Sequence, residues 1–262
     1  MYTLKLNKRK RFDLFVLFVL IALAAMISLA VHATLLTSFF LYLAIPAFYL
    51  CWRQKKNYLK IFLASSVVTT LGISLDVIAE YNRAWSIPTT HPLLPYHLWG
   101  IMPIELVLWG FCVALFTFVF YEHFLDDERH PALSKHFLFL LISAIFMLCL
   151  VGSVAAFIPH ALSVRYAYVI LFVVAELPLV WVLFWRPRLL RKFIWLSLFF
   201  FILNSIFEVT ALMLNQWTFP GQYIGWVNVF GLALPWEELI LWMLLSSPLA
   251  VLYYEEFFDD GR

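Results

Sequence analysis

The sequence predicts an all-α integral membrane protein of about eight transmembrane helices, arranged as two parallel four-helix repeats. Hydrophobic residues make up 64% of the 262 positions and charged residues only 13%, which excludes a soluble domain with a polar surface. The apolar residues also collect in runs long enough to cross a membrane. In addition, scarce polar residues recur 132 positions apart: Glu105 and Glu237 each follow a proline by two positions at the start of an apolar run.

Eight apolar runs define the predicted helices. A helix needs roughly 20 residues to cross about 30 Å of hydrocarbon. The runs are 13–31, 34–52, 61–80, 104–121, 137–159, 164–185, 193–213 and 234–254. Almost nothing separates the first two runs around His32 and Thr34. These two runs are therefore either a tight helical hairpin or one run with a misplaced boundary.

An internal repeat relates the two halves of the chain. The matched pairs, 132 positions apart, are Pro46 with Pro178, Lys60 with Lys192, Asp76 with Glu208, Trp85 with Trp217, Pro88 with Pro220, Pro103 with Pro235, Glu105 with Glu237, Tyr121 with Tyr253 and Asp127 with Asp259. Such residues are scarce in apolar helices, so hydrophobicity alone does not explain their alignment. The sequence predicts one membrane domain made of a first repeat, 1–132, and a second repeat, 133–262. Each repeat holds four helices, so the repeats have the same orientation about a pseudo-twofold axis along the membrane normal.

The basic residues predict the orientation of the chain. With eight helices, all of the 18 Lys and Arg residues except Arg83 and Arg165 lie on one side of the membrane. By the positive-inside rule, both termini are then cytoplasmic. The basic segment 1–11 precedes an apolar run, but no cleavage site and polar mature chain follow, so this run is predicted to stay as a helix. We expect the protein in the plasma membrane of a prokaryote.

Five carboxylates are the candidate catalytic residues: Asp76, Glu105, Glu208, Glu237 and Glu238. A charge inside the bilayer costs roughly 2.5–3.5 kcal/mol even on insertion scales, so such residues usually face the protein interior and mark a function. Glu105 and Glu237 each lie in a first helical turn, where a carboxylate also serves as a cap. Capping does not explain Glu238, whose burial beside Glu237 predicts that at least one of the two stays protonated. The adjacent pair is therefore the predicted acid and base.

Two broken apolar segments, 81–102 and 214–233, are predicted to fold back as lids over the carboxylates. Backbone at membrane depth has to be buried in protein, and both segments are rich in Trp, Tyr, Pro and Gly. Trp85 and Trp217 occupy equivalent positions in the lids, which favours a site over an ordinary interfacial belt. The candidate substrate-contacting residues are Trp85, Pro103, Asn204, Trp217, Pro235 and Trp236. Asn204 lies one turn before Glu208 and shares its helix face.

Other residues give weaker or negative signals. Glu176, beside Pro178, is either a site residue or a partner for backbone groups freed by the proline. The three cysteines are scattered in apolar runs, and no His pair has metal-ligand spacing, so no metal site is predicted. No nucleotide motif occurs, and no cofactor is expected. The formal net charge of +2 comes from loop residues, so no nucleic-acid partner is expected, and the sequence leaves the oligomeric state open.

The order of the scarce residues is similar to that of a known family. An acidic residue, a Trp and a Pro-x-Glu at the head of an apolar helix occur twice, the second time as Glu208, Trp217 and Pro235-Trp236-Glu237-Glu238. This pattern resembles the membrane-integral lycopene cyclases of the heterodimeric or fused type. The resemblance covers most of the chain, although Leu106 replaces the second Glu in the first half. In that family, two small membrane subunits or two fused halves cyclise the acyclic ends of a carotenoid without a flavin or nicotinamide.

The resemblance implies a lycopene-like polyene as substrate, and membrane lipid is the other expected partner. Cyclisation of an isoprenoid end requires protonation of an alkene, attack of a second alkene on the tertiary cation, and loss of a proton, with no net redox change. A protonated carboxyl in an apolar pocket, a carboxylate base and aromatic faces supply these steps. Glu237 and Glu238 would be the acid and base, tuned by the other three carboxylates, and Trp85 and Trp217 would stabilise the cation.

Other functions stay open at this point. A proton-coupled transporter also has parallel repeats and acidic residues at membrane depth, but it should show helix breaks near the midplane, whereas these acids cluster toward one face. Another carotenoid end-group enzyme, such as a hydratase, would use similar groups. A purely structural subunit leaves the acidic pair unexplained.

Overall fold

The structure is a bundle of long apolar helices. The computed structural model describes residues 7–54, 57–88, 94–126 and 133–259. Seven helices in these ranges are long and apolar enough to cross a membrane: α1 (Lys8–Ala30), α2 (Leu35–Arg53), α3 (Tyr58–Tyr81), α4 (Ile104–Asp126), α5 (Phe137–Phe157), α6 (Ala167–Trp185) and α7 (Leu189–Met213). A further helical segment, α8, joins the π-helix Glu238–Leu245 to the α-helix Ser246–Phe257. The apolar helical bundle confirms the prediction of an all-α integral membrane protein.

The first two predicted runs form a helical hairpin and not a single misplaced boundary. His32 has a positive φ of 48°, which reverses the chain after α1. The Thr34 hydroxyl then accepts a hydrogen bond from the Thr37 amide and caps α2. These two residues explain why so short a connection joins two antiparallel helices.

Two short β-hairpins lead into α4 and α8. The first pairs β1 (His97–Leu98) with β2 (Met102–Pro103), and the second pairs β3 (Trp226–Val229) with β4 (Leu232–Pro235). Both turns contain two residues of positive φ, at Trp99-Gly100 and Phe230-Gly231. Turns of this kind match the right-handed twist of the strands and favour Gly at the second position. Each hairpin belongs to one of the segments predicted as lids, the first of which is described only for 81–88 and 94–102.

Reciprocal contacts join the two halves at the end of the bundle where the lids lie. The Ser86 amide donates to the Thr218 carbonyl at 2.9 Å, and the Thr218 amide donates back to the Ser86 carbonyl at 2.9 Å. These two residues are 132 positions apart. Mutual contacts between equivalent residues are the pattern expected of two copies around a twofold axis.

The opposite end, which we call the terminal end because α1 begins and α8 ends there, has a second reciprocal set. The Tyr254 hydroxyl donates to Glu122, and the Tyr121 hydroxyl donates to Glu255. Lys60 lies 4.9 Å from the centre of the Tyr254 ring, and Lys192 lies 5.1 Å from that of Tyr121. The counterpart of Tyr121 in these contacts is Tyr254.

The ungapped match of Tyr121 with Tyr253 is therefore wrong by one residue. Four positions separate Glu105 from Trp109, whereas five separate Glu237 from Trp242. The extra residue falls in the π-helix Glu238–Leu245, whose wider turn accommodates one residue more than an α-helix does. The predicted match of Asp127 with Asp259, and the predicted repeat boundary at residue 132, involve residues outside the described ranges.

A buried ionic network near the terminal end ties α1 to α2 and α4. Asp13 is fully buried and accepts hydrogen bonds from the Tyr49 hydroxyl at 2.8 Å and from Arg53 Nε at 2.7 Å. His123 Nε2 lies 2.9 Å from the second Asp13 oxygen. The position equivalent to Asp13 in the second half is Ile145, so this network belongs to the first half alone.

Candidate active site

A small cavity under the lids collects three of the predicted carboxylates. We call it the acidic chamber; its volume is about 70 Å³, and Asp76, Glu208 and Glu238 line it together with Asn204. The rest of its wall is mostly aromatic and aliphatic. The aromatic residues that line it are Phe39, Trp85, Trp109, Tyr168, Phe172, Phe207, Trp217, Phe219 and Trp242. The chamber therefore joins acidic groups to an otherwise apolar wall.

Glu238 enters the chamber from the first turn of α8. The Tyr168 hydroxyl of α6 donates a 2.5 Å hydrogen bond to Glu238 Oε2. Tyr168 packs edge-on against Trp85, with ring centres 5.7 Å apart, so a lid residue holds the tyrosine in place. Glu238 also lies close enough to Glu208 for the two carboxyl groups to interact electrostatically. The two carboxyl groups therefore share one mostly apolar chamber.

Glu208 enters from α7 and is held by the second lid. The Trp217 indole Nε1 donates to Glu208 Oε1 at 2.6 Å, and the indole packs edge-on against Phe207. In the first half, the equivalent Trp85 interacts with Glu80, one turn beyond Asp76. Both indoles line the chamber, which confirms the expectation that they point toward the acids. The two halves thus hold their acids differently although the residues match in sequence.

Glu105 and Glu237 do not line the acidic chamber. Both are buried, and each accepts a hydrogen bond from a backbone amide of its own lid, Glu105 from Leu94 and Glu237 from Ile224 at 2.5 Å. Each therefore clamps a lid to the start of a helix. The predicted adjacent pair is divided, because neighbouring helical residues point about 100° apart: Glu238 faces the chamber and Glu237 faces the lid.

Three other predicted contact residues also lie outside the chamber wall. Pro103 pairs with His97 and Pro235 pairs with Trp226 within the two hairpins, where the prolines end the strands before the helices begin. Trp236 is 48% exposed and packs against the backbone of Gly225. Their contacts are those of lid structure. Direct contact between these residues and a substrate remains a prediction.

Much of the chamber's aromatic wall was not predicted from the sequence. Trp109 and Trp242 meet with ring centres 4.7 Å apart, and Phe172 packs edge-on against Trp242. A sequence signal existed for the two indoles, because Trp109 follows Glu105 by four positions and Trp242 follows Glu238 by four, the spacing of one helix face. Tyr168 and Phe172 carry no local signal, since only the packing of α6 brings them to the chamber.

Glu176 is a buried acid outside the chamber. It lies on α6 and is 5% exposed, and neither of its carboxyl oxygens has a hydrogen-bond partner among the described residues. The alternative in which Glu176 satisfies backbone groups freed by Pro178 therefore has no hydrogen bond to support it. It lies close enough to Tyr253 of α8 for the two groups to interact electrostatically.

An acidic cluster at the terminal end is paired with a lysine. Within the described ranges, the carboxylates with ligand spacing for a metal ion are Asp126, Glu255 and Asp259. Lys192 Nζ lies 2.6 Å from Asp126 Oδ1 and 3.4 Å from Glu255 Oε1. The lysine therefore balances part of the negative charge of this cluster.

Comparisons with known proteins assign no family to the chain. No family model matches the sequence, no curated protein is similar to it, and no solved structure matches the fold. The chemistry of the acidic chamber is therefore the basis for a functional assignment.

Proposed function

We propose that this protein is a carotenoid end-group cyclase that converts lycopene, or a related polyene, by redox-neutral acid/base catalysis within the membrane. The observation that carries the proposal is the acidic chamber, where carboxyl groups face aromatic rings and aliphatic side chains beneath two lids. An apolar wall favours a hydrocarbon over a polar substrate. The buried acids supply the proton that cyclisation requires.

The acid/base pair in this proposal is Glu208 and Glu238, with Asp76 as the third chamber carboxyl. The protonated member of the pair gives its proton to the terminal alkene, and the second alkene attacks the tertiary cation to close the ring. The ionised member then takes a proton from carbon next to the new cation and leaves a ring double bond. One proton enters and one leaves, so the substrate and product are isomers. This pair replaces the sequence-based pair, since Glu237 holds the lid.

The aromatic residues have a separate role in the proposal. Cations are attracted to the faces of aromatic rings, most strongly to Trp. Trp85 and Trp217 cover the chamber from the lids, while Trp109 and Trp242 stand one helical turn below the helix starts. A carbocation formed at the acids would meet ring faces on several sides. The lids would keep water from capturing the cation, which is the step that separates a cyclase from a hydratase.

We further propose that the eight helical segments all cross the membrane as two parallel repeats, with both termini in the cytoplasm. The reciprocal pairs at both ends of the bundle support a twofold relation between the halves. Both first-turn acids, Glu105 and Glu237, also clamp their own lids in the same way. The concentration of Lys and Arg at the terminal end supports the orientation.

Expression in a lycopene-accumulating host, followed by pigment analysis, tests the function. We expect conversion of lycopene into cyclic products of the same mass in water. In D2O each ring formed should gain one deuterium, because the added proton comes from an exchangeable carboxyl group. Products heavier by one water would identify a hydratase. Unchanged lycopene despite normal membrane insertion would contradict the proposal and favour a carrier.

Replacing Trp217 with Phe should lower cyclisation roughly 10- to 100-fold. The change keeps a ring but removes the N–H that Glu208 accepts, and hydrogen bonds to charged groups contribute about 1.5–3 kcal/mol. The matched control is Trp85→Phe, whose indole serves Glu80 and not a member of the proposed pair. Product formation per amount of inserted protein measures both. Equal losses of activity in the two variants would show that the indole rings themselves matter and that the hydrogen bond to Glu208 does not.

A further inference from the structure

We propose that the substrate chain occupies a second cavity behind the acidic chamber and enters it sideways from the lipid, through a gap between α5 and α6. This inference rests on the proposed function, because it assumes that the chamber receives one end of a linear polyene. It adds the route of access and the number of sites.

The second cavity, which we call the chain cavity, continues from the acidic chamber. Its volume is about 390 Å³, and it extends between α3, α4, α6 and α8. Asp76, Trp109, Phe172 and Trp242 line both spaces, so the aromatic cluster is their common wall. Along α8 the two spaces reach from Glu238 to Tyr253, which is about 20 Å at the rise of a helix. An extended apolar chain fits this shape, with its end at the acids.

The chain cavity opens toward the lipid between two helices. α5 and α6 both pack against α3 but make almost no contact with each other. Met147 of α5 and Val174 of α6 line the cavity and are also 38% and 59% exposed. A residue that lines a cavity and is exposed at the apolar surface stands at an opening. We call these two residues the lips of the portal.

The corresponding space in the other half is filled. The residue equivalent to Val174 is Tyr42, which is fully buried. Its ring stacks on Phe207 with centres 4.8 Å apart, and its hydroxyl donates to Thr210 at 2.8 Å. The helices equivalent to α5 and α6 are α1 and α2, which the Asp13 network holds together. The duplicated fold therefore has one portal and one site in the described ranges, and a long polyene presents one end at a time.

The test narrows the portal with indole side chains at its lips. Met147→Trp and Val174→Trp are compared with Phe146→Trp and Val173→Trp, neighbouring positions that are 64% and 47% exposed. All are placed in a Glu238→Gln background, so that bound pigment is not converted. Protein purified from lycopene-accumulating cells into lipid nanodiscs is extracted, and retained lycopene per protein is read from its absorbance. A third change, Gly72→Leu, fills the chain cavity at a position where an added Cβ meets nothing within 4 Å.

We expect the two lip variants and Gly72→Leu to retain at least about fivefold less lycopene than the two neighbouring controls, since the added side chains would occupy the space and the opening that the polyene needs. Equal retention in all variants, or equal loss in the controls, would overturn the portal. Gly72→Leu keeps the test decisive if a lip variant fails to fold. Failure of the proposed function would give a different result. The protein with Glu238 intact would then retain lycopene, and the lip variants would still lower that retention, but no cyclic product would form.

Discussion

Glu238→Gln is expected to lower cyclisation by about 100- to 10,000-fold, the usual contribution of a general acid or base. Gln keeps the volume and the acceptor for the Tyr168 hydroxyl but cannot exchange the proton that the reaction needs. Insertion should be preserved, because a neutral amide is cheaper in hydrocarbon than a carboxylate. Glu208→Gln should be similarly severe. The double variant should be little worse than the poorer single one, since residues that act as a unit are not additive.

The neighbouring residue is the matched control for this prediction. Glu237→Gln retains an oxygen to accept the Ile224 amide and so should keep the lid in place. Its loss of activity, and that of Glu105→Gln, should be much smaller than the loss at Glu238. Initial rates of product formation from lycopene in membranes compare the variants. If Glu237→Gln is as inactive as Glu238→Gln, the acid and base are the adjacent pair after all.

Asp13→Ala is expected to destabilise the protein by about 3–5 kcal/mol, the usual cost of removing one partner from a buried ionic group. Arg53 and His123 would lose their common acceptor, and the contacts of α1 with α2 and α4 would loosen. Thermal unfolding of the detergent-solubilised protein measures the effect. The control is Ile145→Ala at the equivalent position of the second half, which is 50% exposed and should change stability far less. Similar unfolding temperatures for both variants would show that the ionic network contributes little to the stability of the protein.

The helices and the general location of the acids could be predicted from the sequence. The described helices start and end close to the predicted runs, because uninterrupted apolar runs allow few alternatives in a membrane. Three of the five predicted carboxylates, Asp76, Glu208 and Glu238, do line one chamber, whereas Glu105 and Glu237 lie outside it. The short connection between the first two runs left a tight hairpin and a misplaced boundary open, and the structure shows the hairpin, with its turn at His32. These features depend on local sequence and on the thickness of the bilayer.

The orientation of individual side chains could not be predicted. Glu237 and Glu238 look interchangeable in the sequence. Only the direction of the helix shows that Glu237 binds the lid and that Glu238 faces the chamber. Tyr168 reaches Glu238 from 70 positions away, through the packing of α6. An alignment without gaps could not detect the extra residue after Glu237. The chain cavity likewise opens where α5 and α6 make almost no contact with each other, and no pattern in the sequence indicates such a gap.

The π-helix at the start of α8 takes up one extra residue while the contacts between the two halves of the chain keep the same form. The Ser86 and Thr218 pair on one side of it, and the Tyr–Glu pairs on the other, keep their reciprocal form although the second copy is one residue longer between them. The length difference is confined to a single wide turn, the turn that carries Glu238. The matched carboxylates Asp76 and Glu208 both line the chamber, so the two halves contribute similar groups there. Glu238 is the unlike position: its counterpart Leu106 also lines the chamber, so a substitution and not the extra residue makes the two halves differ in charge at this point.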